Sequence, residues 1–256
     1  MRMANPTLGV FEKPQTWAEL DRTAAKPRVM TIGGTILATS VLLGICAGVA
    51  ILCYGQAQAG AWPMWLLWVG LFGGLGLGLV ISFKPITAPF LAPVYAAFEG
   101  ILVGFISYVI PIWFNLEDQG PMLVLQAVTL TFGILAAMLI AFAFGLIRLN
   151  SVAVKVITVA VAGVALYYMA GMLFSVMGVS SFPRLGWEGG AIGIGFSLFV
   201  VVLASISLVL DFQIIEQGVK NQAPKYMEWY GGFALLVTLV WLYIEVLRLL
   251  AKLKRR

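Results

Sequence analysis

The side chains that could do chemistry in this chain are acids set inside apolar sequence. Asp211 and Glu216 close the stretch LVLDFQIIEQG; after the polar turn VKNQAPKY, Glu228 stands at the head of MEWYGGFALLVTLVWLYIEVLRLLAKLKRR. Glu245 and Arg248 lie near the end of that stretch, and Glu99 sits in the middle of PITAPFLAPVYAAFEGILVGFISYVIPIWF. A carboxyl group at mid-membrane costs roughly 2.5–3.5 kcal/mol on insertion scales, so it faces a partner or a watery cavity. Two neighbouring carboxylates resist ionising together. Ionised, they offer oxygen ligands to a hard cation such as Ca²⁺; protonated, they release it. The turn between Glu216 and Glu228 is short, so Asp211, Glu216 and Glu228 are expected towards one membrane face. Asp211 leads the candidates for an ion path and pH sensing, followed by Glu228, Glu99 and Glu216. Ca²⁺ would be held transiently at Asp211 and Glu228, with no fixed metal site. Glu245 is about 25 Å along the helix from Glu228, at the opposite side, and reads as a local pair with Arg248. Glu99 could bridge the two levels.

These acids need helices to hold them in a bilayer. The chain is 61% hydrophobic and 11% charged, where a soluble domain is about half apolar and a quarter charged; mean hydropathy is +1.00. Apolar segments run approximately over 30–54, 62–83, 87–114, 121–147, 152–178, 189–215 and 226–251. Each exceeds the roughly 20 residues that span a hydrocarbon core, which predicts an all-α bundle of seven transmembrane helices over 30–256 behind a polar tail, 1–29. That tail has no apolar core with a cleavage site and is not read as a secretory signal; Thr16 and Glu19 are placed to cap a short amphipathic helix.

Smaller features refine the picture. Trp62, Trp65 and Trp68 fit an interfacial belt. Gly70, Gly74 and Gly78 fall four apart on one face, which favours close helix packing. Pro85, Pro89, Pro93 and Pro111 favour kinks or irregular entry. Gln126, Thr129, Thr131, Ser197, Ser205 and Ser207 are candidate donors between helices. Arg184 and Trp187 lie in a Gly/Ser/Pro-rich loop. Cys46 and Cys53, two turns or about 10 Å apart, are too far for a mutual disulfide and read as packing residues. The net charge of +5 is spread over tails and loops and fits an orientation signal better than nucleic-acid binding.

With the N-terminus inside, Arg2, Lys13, Arg22, Lys26, Arg28, Lys84, Arg148, Lys155, Lys220 and Lys225 are all inside, and Arg184 alone is outside. Seven spans then put Arg248, Lys252, Lys254, Arg255 and Arg256 outside, against the positive-inside rule. Either the last segment crosses despite its charges, or one segment is re-entrant.

The stretches LVLDFQIIEQG, APKYMEWYGGFALLVTLVWLYIEVLRLL and APVYAAFEGILVG resemble the Bax inhibitor-1 (TMBIM) family, particularly its bacterial YccA-like branch. The resemblance covers nearly the whole chain. It implies six helices around a central, charged last helix, in a cell (inner) membrane. It also implies a pH-sensitive calcium or cation leak in which aspartates of the last two helices share a proton. Asp211 and Gln213 match the first Asp-x-Gln motif. Thr238 stands where the second aspartate is common, and the basic residue expected within the second helix is missing, so Asp211 needs another partner. A relative in that family is similar to a modulator of the membrane protease FtsH, which implies a second role.

Three classes of function are therefore weighed: a carboxylate-gated leak, with Ca²⁺ as the transported ion; a non-transporting regulator docking on a membrane protease through residues 1–29; and an enzyme or photoreceptor. The chain has no histidine, which argues against zinc and Ser–His intramembrane proteases. A retinal-binding protein needs a lysine in the middle of its last helix, whereas Lys252 and Lys254 stand at the end. The expectation is a protein that is not an enzyme and has no cofactor, whose surroundings are the lipid bilayer and whose oligomeric state the sequence leaves open.

Overall fold

The computed structural model describes residues 29–61, 63–178 and 190–255. Among the described residues, seven helices are long and apolar enough to cross a membrane. They are α1 (Ile32–Gln58), α2 (Met64–Phe83), α3 (Ala88–Trp113), α4 (Gly120–Ala143), α5 (Ser151–Val176), α6 (Ala191–Lys220) and α7 (Met227–Lys254). The putting of a short N-terminal helix at Thr16–Glu19, Trp62, and the loop bearing Arg184 and Trp187 lie outside the described residues.

The ends follow local chemistry. Thr31 caps α1 by accepting from the Gly34 N–H at 3.0 Å, and Asn150 caps α5 by accepting from the Ala153 N–H at 2.8 Å. Side-chain oxygens at these positions satisfy amides that the helix cannot. The fourth helix stops at Ala143, short of the expected 147, because Gly145 turns to a φ of +71°, a left-handed C-terminal stop that glycine adopts freely. Conversely α6 continues five residues past the expected 215, so Glu216 and Lys220 are still helical. Pro85 opens a 3-10 turn and Pro89 lies in the first turn of α3, whereas Pro93 and Pro111 are inside that helix.

Charge decides which helix is central. The last helix carries Glu228, Glu245, Arg248 and Lys252, all buried, and such groups cannot face lipid. Two-thirds of its apolar window is buried (67%), against 11% for α5. It packs on α1, α3, α4 and α6, while α2 and α5 lie outside with broad apolar faces to the lipid. This is the central last helix that the resemblance implies.

The helices α1 and α3 approach closely. A Cβ on Gly100 would stand 2.5 Å from the Cys46 carbonyl oxygen, and one on Gly104 would stand 2.6 Å from that of Ala50. Gly70, Gly74 and Gly78 do face α3, at Ile101, Glu99 and Tyr95, but with 3.0–3.5 Å of room. Both cysteines are free and buried, within this α1 packing. The hydroxyls behave differently from expectation. Thr129, Thr131, Ser205 and Ser207 each donate to the carbonyl four residues back in their own helix, which satisfies them where no water is present. Ser197 by contrast makes a bond across helices, accepting from Lys252.

The last helix is unbroken from Met227 to Lys254, so its C-terminal end and the Thr31 end of α1 lie at opposite faces of the bundle. No re-entrant segment is needed. Single cysteines at positions 222 and 255 should react with a membrane-impermeant maleimide from opposite sides of sealed vesicles; labelling of both from one side would refute this crossing. Gly100→Ala should cost about 1–3 kcal/mol by overpacking, read as a lower Tm in detergent. Gly133→Ala, which meets no atom within 4 Å, should leave Tm unchanged.

Candidate functional site

The site is a seam between α6 and α7. On α6, Ser197, Ala204 and Asp211 recur every seven residues; on α7, so do Thr238, Glu245 and Lys252. The helices are antiparallel neighbours, and a seven-residue repeat keeps one stripe of each facing the other. Two contacts fix the register. Asp211 meets the Thr238 side chain at one end, and Lys252 Nζ donates to Ser197 Oγ at 2.8 Å at the other. Between them the register sets Glu245 opposite Ala204, whose small, fully buried side chain leaves room for it.

At its first level Asp211 lies beside a neutral hydroxyl, that of Thr238, which donates to the Ala234 carbonyl at 3.3 Å. Asp211 Oδ2 is buried with no hydrogen-bond partner, and so is Gln213 Oε1, although Gln213 Nε2 donates to the Leu149 carbonyl at 3.2 Å. Asp211 sits nine residues before the end of α6, about 14 Å along the axis.

At the second level Arg248 Nη1 donates to both oxygens of Glu245, at 3.0 and 3.1 Å, and to the Tyr168 hydroxyl of α5 at 2.7 Å. The guanidinium also stacks over the Tyr168 ring, 5.0 Å from its centre. The expected local pair of Glu245 and Arg248 is therefore present, and buried. At the third level Lys252, 1% exposed, donates to Ser197 and to the Gly193 carbonyl, the latter at 2.9 Å. Lys252 was read from sequence as part of a basic tail. The signal that finds it is its seven-residue spacing from Glu245 and Thr238.

The other acids do not join Asp211. Glu216 is at the surface of the bundle, bonded to Lys220 at 2.7 Å and 3.8 Å from Arg148. Glu228 accepts from the Thr31 amide at 2.9 Å, the Thr31 hydroxyl at 2.7 Å and Lys225 at 2.7 Å. It thus anchors the start of α1, and a Cβ on Gly34 would overlap its carboxylate. The adjoining backbone bond from Met30 N–H to the Ala223 carbonyl, 2.8 Å, fastens the same corner. Glu99 hydrogen-bonds Tyr95 of its own helix and lies beside Gly74 of α2. It does not bridge the two levels. The expected cluster of Asp211, Glu216 and Glu228 is not formed, because each outer acid has its own basic neighbour. Among the described residues no three acid or thiol groups gather to hold a metal.

Comparison with known families now adds to this geometry. The family described as Bax inhibitor 1 like matches residues 8–255. The chain belongs to the Bax inhibitor 1-like family. No curated protein and no solved structure matches the chain. In this Bax inhibitor 1-like protein, Thr238 is the residue that meets Asp211 across the seam.

Breaking a buried ion pair from one side leaves a charge uncompensated, at about 3–5 kcal/mol. Glu245→Ala should therefore lower Tm sharply in detergent, Glu245→Leu combined with Arg248→Leu should recover much of the loss, and Glu216→Ala at the surface should change little. Equal effects of Glu245→Ala and Glu216→Ala would refute the buried layer.

Proposed function

We propose that this protein is a pH-sensitive leak for calcium or another cation, with neither enzymatic activity nor a cofactor, and that protonation of Asp211 sets its state. The observation that carries this reading is Asp211 itself: a carboxylate on the inner stripe of α6, met by a neutral threonine, with one oxygen unpartnered. A carboxylate so placed needs a counter-charge. A proton and a cation compete for it, which makes occupancy by the cation depend on pH. Ca²⁺ favours six to eight oxygens, and the absence of an acid cluster among the described residues supports passage rather than residence.

The far half of the seam is held shut by its own contacts. Arg248 is bonded to Glu245 and Tyr168, and Lys252 to Gly193 and Ser197, and this arrangement fits a closed state. Opening moves Lys252 away from Gly193 and Ser197. The same reading assigns the chain to the bacterial YccA-like branch, in the inner membrane with its N-terminus in the cytoplasm. Lys84, Arg148, Lys155, Lys220 and Lys225 stand at the Thr31 end. At the other end Arg248 and Lys252 are engaged internally, so Lys254 and Arg255, with Arg184 and Arg256 of the sequence, are left to set against them.

Calcium entry into liposomes holding the purified protein tests this across acidic to mildly alkaline pH. Wild type should pass calcium with a pH dependence that Asp211→Asn removes, and Lys252→Met should raise the basal flux. No flux above protein-free liposomes, from folded protein, would overturn the leak. The role of protease regulator through residues 1–29 would then stand in its place, tested by deleting them.

A further inference from the structure

We propose a lipid site: the bundle holds an acyl chain of a bilayer glycerophospholipid in a cavity between α1, α3, α4 and α7. This does not rest on the leak. The cavity is about 300 Å³, at the small end of ligand pockets. Its inner wall is Cys46, Val103, Leu239, Val240 and Tyr243, and its mouth is flanked by Ala47 and Ile51 of α1 and by Val128 and Phe132 of α4. Those four flanking residues are exposed, and they belong to spans that cross the hydrocarbon. The cavity therefore opens sideways into lipid, not to an aqueous face.

The lining chooses among occupants. A buried water needs two to four polar partners, and the deep hydroxyls are already engaged. Ser107 lies 2.6 Å from the Val103 carbonyl and 2.7 Å from the Tyr243 hydroxyl. Thr131 donates to the Ala127 carbonyl at 2.8 Å. The interior asks for hydrocarbon with no polar atom. Tyr54 differs. It stands four residues before the end of α1, about 6 Å from it, and its hydroxyl accepts from Gln58 Nε2 at 3.2 Å, which leaves its own proton to donate. A chain within the cavity and an ester carbonyl at Tyr54 together describe a glycerophospholipid entering from that membrane surface.

The test is photolabelling. The protein is reconstituted with a phospholipid carrying a diazirine on its acyl chain, irradiated, digested and mapped. Label should concentrate on the peptides holding Cys46–Tyr54 and Val124–Phe132. Ala47→Phe and Val128→Phe, which fill the mouth, should cut that label several-fold while the lipid-facing surfaces of α2 and α5 label as before; an unchanged Tm shows that each variant is folded. Should one variant fail to fold, the other carries the test. Tyr54→Phe should weaken retention of phospholipid through delipidation, followed by native mass spectrometry. Label on the cavity peptides no greater than on α2 and α5, or unchanged by either mouth variant, would overturn the proposal. Displacement of the label by a free fatty acid as readily as by phospholipid would overturn its assignment to a glycerophospholipid.

Discussion

Everything in this bundle depends on the cost of placing ionised groups in hydrocarbon. The last helix carries two acids and two bases that are all buried. None of them could face lipid without a penalty of several kcal/mol. The chain meets that constraint by enclosing the helix, so the most charged span becomes the core, while α2 and α5, among the least buried spans, become the exterior. Soluble proteins sort residues the other way, with charge outward. Here the same physical rule, acting against a solvent of acyl chains, turns the ordering inside out.

Enclosure alone leaves each charge needing a partner, and the partners grade along the seam. Glu228 at one end is satisfied by Thr31 and Lys225. Glu245 and Arg248 satisfy one another with Tyr168. Lys252 donates to the Gly193 carbonyl and the Ser197 hydroxyl. Asp211 is the least provided for, with one neutral hydroxyl beside it and one bare oxygen. Asp211 and Lys252 thus stand at opposite ends of the seam, on the two different helices. Any movement of α7 relative to α6 changes both levels at once, since the seven-residue register ties them together.

How far this was legible follows from the kind of signal each feature leaves. Seven spans are visible because hydrophobic length is a property of local sequence, and their bounds miss by only a few residues where a glycine such as Gly145 or a continuing helix such as Glu216–Lys220 decides the end. The pair of Glu245 and Arg248 was readable because three residues on a helix are neighbours. Partners across helices were not. That Glu228 caps α1, almost two hundred residues away in the chain, depends on packing and leaves no spacing to read. The clustering of Asp211, Glu216 and Glu228 was expected from nearness in sequence alone; it fails because Arg148, Lys220 and Lys225 neutralise the outer two. Lys252 was readable in retrospect, by its heptad spacing, but its place beside basic tail residues hid it.

The two faces of α7 now have different occupants. Thr238, Glu245 and Lys252 fall on one stripe, towards α6. Leu239, Val240 and Tyr243 line the cavity and, at 100° per residue, point nearly the opposite way. A helix with polar contacts on one face and a fillable space on the other is held by both. Filling the cavity adds dispersion contacts that an empty wall forfeits, and those contacts press on the side of α7 away from the seam. The proposed occupancy of the cavity and the proposed state of Asp211 thus act on one rigid element, and would be coupled where each favours a different position of α7. Coupling of that kind is reciprocal: a lipid that steadies the seam would itself be held more tightly while the seam is closed.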